Sequence, residues 1–271
     1  MDLATLFPWD FAPWQWAVLL GCGLCIGMSK TGMSGITTVM IPFMALIFGA
    51  KESTGVVLPL LCFADLLAVI YYRRAASWKH IIRLLPWALA GFGAALVVDR
   101  FIPPKGFKIL IAACILAGLA VMLWSDIRKA RAGKKPAEEK AALSGEKGGE
   151  KARPWWFSAI FGVMGGFTTM IGNAAGPIMS VFLLSARLPK LNFVGTGAWF
   201  FMVVNYLKLP IQHFVWHNIH RETLFLDLCM IPAILAGAAL GILMVKKLSE
   251  AHFRVMVYVL TLVSATLLFI R

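Results

Sequence analysis

Residues 154–186 read PWWFSAIFGVMGGFTTMIGNAAGPIMSVFLLSA and carry no charge over 33 positions. One straight helix of that length would be about 50 Å long, far beyond the ~30 Å hydrocarbon core of a bilayer. The run must break, and the break is written as Gly172-Asn173-Ala174-Ala175-Gly176-Pro177. Glycine accepts non-helical dihedrals, and proline cannot donate to the preceding turn. Early in the chain another apolar helix runs into a similar stretch, Gly27-Met28-Ser29-Lys30-Thr31-Gly32-Met33-Ser34-Gly35. Unwound backbone at membrane depth is tolerated only where protein buries it or where it lines a wet cavity. Two interrupted helices at matching places in two halves of a chain point to a transport site.

Composition agrees with a membrane setting. Of 271 residues, 60% are apolar and 14% charged, with mean hydropathy +0.79. A soluble domain carries roughly 25% charged residues, and a disordered chain has low hydrophobicity, so both classes are excluded. The fold class is an all-α polytopic membrane protein with room for about 8–10 transmembrane helices. The net charge of +13 could suggest nucleic acid. The basic residues, however, lie between apolar runs and form no basic face, as expected of loops at a membrane surface. All five cysteines (Cys22, Cys25, Cys62, Cys114, Cys229) fall in or at the ends of apolar runs and read as small hydrophobes. Met1–Asp10 holds two Asp and no basic residue, so the first apolar run is expected to be retained and not cleaved as a signal peptide.

Candidate segments fall at about 14–29, 31–50, 53–72, 81–99 and 107–124, then at 155–171, 173–186, 193–211, 223–245 and 253–270. Between the two groups, residues 125–154 are rich in Lys, Glu, Ala and Gly and read as a flexible linker. The division is therefore a first repeat (1–124), a linker (125–154) and a second repeat (155–271). Trp87-Ala88-Leu89-Ala90-Gly91 resembles Ala233-Ile234-Leu235-Ala236-Gly237, each at or just after a proline. An odd number of crossings per half makes the repeats inverted, with a substrate site near the midplane between them. A cytoplasmic linker puts nineteen Lys and Arg inside against seven outside, Lys208 among the seven, so both termini are expected outside.

The chemistry expected at the breaks is anion binding. A helix starting within the membrane at Thr31 or Ala174 points N–H groups and partial positive charge at the break. Lys30 adds a full charge, and Ser29, Thr31, Ser34 and Asn173 add donors. A second reading of Lys30 is a helix cap that snorkels to the interface. Asp65 lies deep in the third segment, where charges are costly and are usually paired or functional. Aligning the halves with about three residues of slack sets Asp65 opposite Asn205 and Lys30 opposite Asn173. A Lys30–Asp65 pair that an anion or a proton opens, and a static salt bridge, both fit this pattern. His213, His217 and His220 have helical spacing but fall in a connection, so no metal site is expected and a wet loop is the plain reading. The sequence contains no His-Glu-x-x-His, glycine-rich nucleotide loop or Gly-x-Ser-x-Gly elbow, and no enzymatic role or cofactor is expected.

At these residues the chain resembles the sulfite exporter TauE/SafE family. The resemblance rests on Gly27-x-Ser29-Lys30-Thr31-Gly32 followed by Ile41-Pro42, and on Thr169 to Pro177. It continues through Leu188-Pro189-Lys190, Gly195-Thr196-Gly197-Ala198-Trp199-Phe200, Asn205 and Lys208-Leu209-Pro210. Membership implies a polytopic permease for sulfite, organosulfonates or related oxyanions in the cell (inner) membrane. Many members have several glycines in a row where this chain has Ser29-Lys30-Thr31-Gly32, which leaves carboxylates and other oxyanions open. The expected substrate-binding residues are Ser29, Lys30, Thr31, Gly32, Ser34, Gly172, Asn173, Ala174 and Gly176, with Thr196, Trp199 and Asn205 along the path and Asp65 as a coupling residue. The expected partners are a small anion and the lipid bilayer, with no nucleic acid. An anion channel, or a membrane sensor without turnover, is the competing class.

Overall fold

The computed structural model describes residues 11–49, 51–98, 101 and 155–270. The expected segment at 107–124 and the linker at 125–154 lie outside the described residues. The helices are α1 (Pro13–Thr31), α2 (Ile36–Phe48), α3 (Glu52–Tyr72), α4 (Trp78–Val98), α5 (Trp155–Gly172), α6 (Ala175–Ser185), α7 (Lys190–Phe214), α8 (Arg221–Lys247) and α9 (Glu250–Ile270). Helix is what an apolar chain must form in lipid, because each backbone N–H and C=O is then satisfied within its own segment. Among the described residues, α3, α4, α5 and α8 are long and apolar enough to cross a membrane. The 11 residues of α6 rise only about 16 Å, roughly half a crossing.

Both expected breaks are present, with shifted boundaries. Helix α1 continues through Ser29 and Lys30 to Thr31, and the N–H groups of Gly32 and Met33 both close on Met28 O. The chain restarts after Gly35, whose φ of +101° suits glycine, so the second helix begins at Ile36 and not at Thr31. In the other half, α5 ends at Gly172, Asn173 turns the chain at φ +53°, and α6 begins at Ala175. Asparagine is among the few residues with a side chain that tolerate this left-handed conformation.

Three helix pairs hold the molecule together: α1 with α8, α5 with α4, and α3 with α7. The first two are close glycine-mediated crossings with matching contacts. A Cβ on Gly27 would strike Ile234 O, and one on Gly237 would strike Leu24 O. In the other pair, a Cβ on Gly166 would strike Ala88 O, and one on Gly91 would strike Val163 O. Leu24 and Gly27 thus map onto Val163 and Gly166 by one constant step, which also takes the start of α2 onto the start of α6. This step places Asn173 opposite Ser34, and Lys30 opposite Thr169, where the slack alignment had paired Lys30 with Asn173.

Helix α3 crosses α7 antiparallel. Asp65 meets Asn205 near the middle, Ala68 and Val69 cluster with Ala198, and Asn218 beyond the end of α7 bonds Thr54 at the start of α3. The apolar core divides accordingly. One cluster gathers Leu19, Ile26, Met44, Leu60 and Ile234 from α1, α2, α3 and α8, and a larger one gathers Phe92, Phe161, Phe182, Phe193 and Phe253 from α4, α5, α6, α7 and α9. The two broken helices meet between these clusters.

Candidate functional site

A small cavity of about 30 Å³ lies where the breaks face each other, room for a water or two before any opening. Ser29, Lys30, Ser34, Gly35 and Thr37 line it from the first break, and Thr169, Asn173, Gly176 and Ser180 from the second. Leu61 of α3 and Gly197, Phe201 and Asn205 of α7 close the sides. The starts of α2 and α6 therefore both border this space, each bringing the positive end of its peptide dipoles.

Lys30 and Asp65 form the pair that the sequence suggested, with Nζ 2.8 Å from Oδ1 and the carboxylate fully buried. Asn205 donates its amide Nδ2 to the other oxygen, Oδ2, at 2.6 Å. The Lys30 ammonium also sits 4.2 Å from the centre of the Phe201 ring, a cation–π contact that keeps it from the interface. The snorkelling alternative for Lys30 does not match this geometry.

The sidedness count takes Lys208, in the candidate segment 193–211, as one of seven outward-facing basic residues, whereas in the structure it is 0% exposed, within α7. Its Nζ donates to Thr169 O at 2.7 Å, to Asn173 Oδ1 at 2.5 Å and, at 3.4 Å, to Thr169 Oγ1. Three acceptors match the three donors of an ammonium group. Lys30 and Asp65 lie within electrostatic range of it. A pattern in α7 could have revealed this lysine, since Gly197, Phe201, Asn205 and Lys208 recur at helical spacing and so share one face.

Of the expected substrate residues, Ser29, Lys30, Ser34, Asn173, Gly176 and Asn205 line the cavity, whereas Thr31, Gly32, Gly172, Ala174, Thr196 and Trp199 do not. The Thr31 hydroxyl bonds Gly27 O and Ala238 O, and its carbonyl accepts from Tyr72 O–H, so it ties α1 to α8 and α3. Gly32 packs against Gly241 of α8. Thr196 accepts the Ser77 N–H, and Trp199 lies against Trp78. Two buried polar atoms of cavity residues, Thr37 Oγ1 and Asn205 Oδ1, make no hydrogen bond among the described residues. His220 lies 3.8 Å from Glu52 at an exposed position.

The helices, the two interruptions and the polar centre define a multi-pass all-α membrane protein with a few charged groups, Lys30, Asp65 and Lys208, brought together inside the bundle. A family model, Sulfite exporter TauE/SafE, matches residues 19–268, nearly the whole chain. The chain belongs to that family of transporters. No curated protein and no solved structure matches it.

Proposed function

We propose that this chain is a secondary transporter that exports a small anion such as sulfite, an organosulfonate or a related oxyanion by alternating access. The observation that carries the reading is a charge count. Lys30 lines the cavity and pairs with the buried carboxylate of Asp65, and the fully buried Lys208 reaches the cavity through Thr169 and Asn173, so two lysines stand beside one carboxylate. An uncompensated charge away from water costs several kcal/mol, and an anion between two helix N-termini relieves that cost. The Thr37 hydroxyl, which makes no hydrogen bond among the described residues, supplies a further donor. Among the described residues no group of metal-ligating side chains gathers at the cavity, and the chain acts as a carrier.

The matched glycine crossings and the antiparallel α3–α7 contact support two inverted repeats related by a pseudo-two-fold axis through the cavity. In the cycle, one repeat rocks against the other around the two breaks. Export needs no ATP for modest gradients, since an interior-negative potential drives a monovalent anion outward by about 2.3 kcal/mol per 100 mV. The linker faces the cytoplasm and both termini face outward across the cell (inner) membrane. Asp65 is the candidate coupling residue, because a proton on its carboxylate would release Lys30 to the anion.

The test is uptake into proteoliposomes from a panel of sulfite, taurine-like sulfonates, sulfate and small carboxylates. Lys30→Ala and Asn173→Ala are expected to lose uptake of whichever anion the native protein carries. Native rates in both variants across the panel would overturn the site. Ionic currents far faster than carrier turnover would show a channel, and binding without net movement would show a sensor.

A further inference from the structure

At each end of α3 a loop is seated against a glycine of a long helix, and the two seats match. After α7, the segment 215–220 returns over the start of α3, where the Asn218 carbonyl occupies the space a Cβ on Gly55 would need. Asn218 is buried and donates its amide Nδ2 to Thr54 Oγ1 at 3.1 Å and to Lys51 O at 3.2 Å. His217 makes the turn at φ +50°, and Trp216 lies under the Lys51 ammonium at 4.9 Å. After α3, the segment 73–77 returns over the start of α7, where the Ala75 backbone occupies the space a Cβ on Gly195 would need. The Ser77 N–H donates to Thr196 Oγ1 at 2.9 Å, and Trp78 packs on Trp199 with ring centres 4.9 Å apart. Gly55 and Gly195 are related by nearly the same step as the paired glycines of α1 and α5. The cavity lies between the two seats.

We infer that these loop seats are the two gates of the transport pathway, the Asn218 seat at the face bearing Lys51 and His220 and the Ala75 seat at the face bearing Arg73, Arg74 and Lys190. The inference rests on the transporter reading for its purpose, not for its geometry. Both seats are filled in this conformation, which is therefore the closed middle of the cycle. The Asn218 seat is made of two hydrogen bonds and the Ala75 seat of one hydrogen bond and a tryptophan pair, each with one backbone-to-glycine contact, so both can separate without unfolding a helix. Opening both together would turn the carrier into a leak, so opening is exclusive.

Asn173 connects the Asn218 seat to the cavity. Its Oδ1 accepts from Lys208, and its Nδ2 donates to Thr54 O at 3.2 Å. Thr54 is also the residue whose hydroxyl holds Asn218. An anion oxygen that takes the place of Asn173 Oδ1 on Lys208 frees the amide to turn, which removes its bond to α3 and loosens this seat. Occupancy of the cavity is thereby transmitted to one gate.

The test places cysteine pairs across each seat, Thr54→Cys with Asn218→Cys and Ser77→Cys with Thr196→Cys, in the full chain with its native cysteines replaced. Ser180→Cys serves as a reporter in the cavity, labelled by a membrane-impermeant thiol reagent applied to one face of the vesicle at a time. Cross-linking a seat is expected to abolish labelling from that face only, and reduction to restore it. Cross-linking both is expected to abolish labelling altogether. Labelling from a cross-linked face at the reduced-protein rate overturns the gates. Labelling that obeys the cross-links while no oxyanion is carried leaves the gates standing and sinks the transport reading. Undiminished carriage with both seats cross-linked does the reverse.

Discussion

Replacing Lys208 with methionine removes the lysine that reaches the cavity through Thr169 and Asn173 while keeping a long unbranched side chain in the same packing. An anion seated about 4–6 Å from Nζ gains roughly 3–4 kcal/mol from that charge at an effective dielectric of about 20. The loss is equivalent to a dissociation constant roughly 100- to 1,000-fold larger. Stability should respond differently. The variant leaves Asn173 Oδ1 without its donor, at about 1–3 kcal/mol, but Thr169 O keeps the Asn173 N–H as a partner, and a buried charge is no longer desolvated. These opposing effects predict a small change in thermal midpoint in detergent beside a large loss in anion affinity. Binding measured by titration on purified protein, with uptake in proteoliposomes alongside, checks both. A folded Lys208→Met protein that binds the transported anion as tightly as the native chain would refute the charge count on which the function rests.

Neutralising Lys30 alone leaves the Asp65 carboxylate, among the described residues, with the Asn205 amide as its hydrogen-bond partner, so Lys30→Met is expected to lose about 3–5 kcal/mol of stability, and Lys30→Met with Asp65→Leu to regain most of it. Thermal melts give the coupling energy, and normal transport by the double variant would exclude the pair from the cycle. Gly27→Ala and Gly166→Ala each push a methyl into a carbonyl of the facing helix and should sharply reduce the yield of folded protein. Gly165→Ala, with open space around it, should instead gain about 0.5–1 kcal/mol, and equal behaviour of all three in size-exclusion profiles would show that the crossings are not close-packed. Asp227 is buried in α8 with neither oxygen hydrogen-bonded among the described residues, so Asp227→Leu should raise the thermal midpoint. A lowered midpoint would mean the carboxylate holds a partner in the folded protein.

The parts of this architecture that were legible in advance are those governed by local chemistry. The charge-free run at 154–186 had to break, and its glycines, Asn173 and Pro177 said where, so the α5–α6 boundary falls within the quoted motif. The first break was placed too early, because Ser29, Lys30 and Thr31 look like a polar interruption but occupy the last turn of α1. Helix geometry tolerates all three there: the Thr31 hydroxyl bonds back to Gly27 O within the helix and across to Ala238 O, a partner 207 residues away that no local pattern reveals. Lys208 was misplaced for a related reason. Lysine ahead of Leu-Pro near the end of an apolar segment resembles an interfacial anchor, and only the arrival of Thr169 and Asn173 from another helix makes its burial affordable.

On the proposed reading, two repeats need not give a symmetric binding centre. The step that matches Gly27 to Gly166 sends Lys30 to Thr169, and nearly the same step sends Asp65 to Asn205 and Ala68 to Lys208. Had the second half kept Lys and Asp at the positions of Thr169 and Asn205, and a small apolar residue like Ala68 at 208, the centre would hold two closed ion pairs and no net charge. Instead Thr169 and Asn205 are neutral hydrogen-bonding groups, and the second lysine enters from α7, one turn beyond Asn205, the position that matches Asp65. Asn205 completes the first half's Asp65, and Thr169 receives the second half's Lys208. In the proposed inverted repeat, the backbone symmetry would supply two facing helix starts, and the broken side-chain symmetry an excess lysine. An anion site needs both, since dipoles alone would hold a neutral polar molecule nearly as well, and a paired lysine alone would hold nothing.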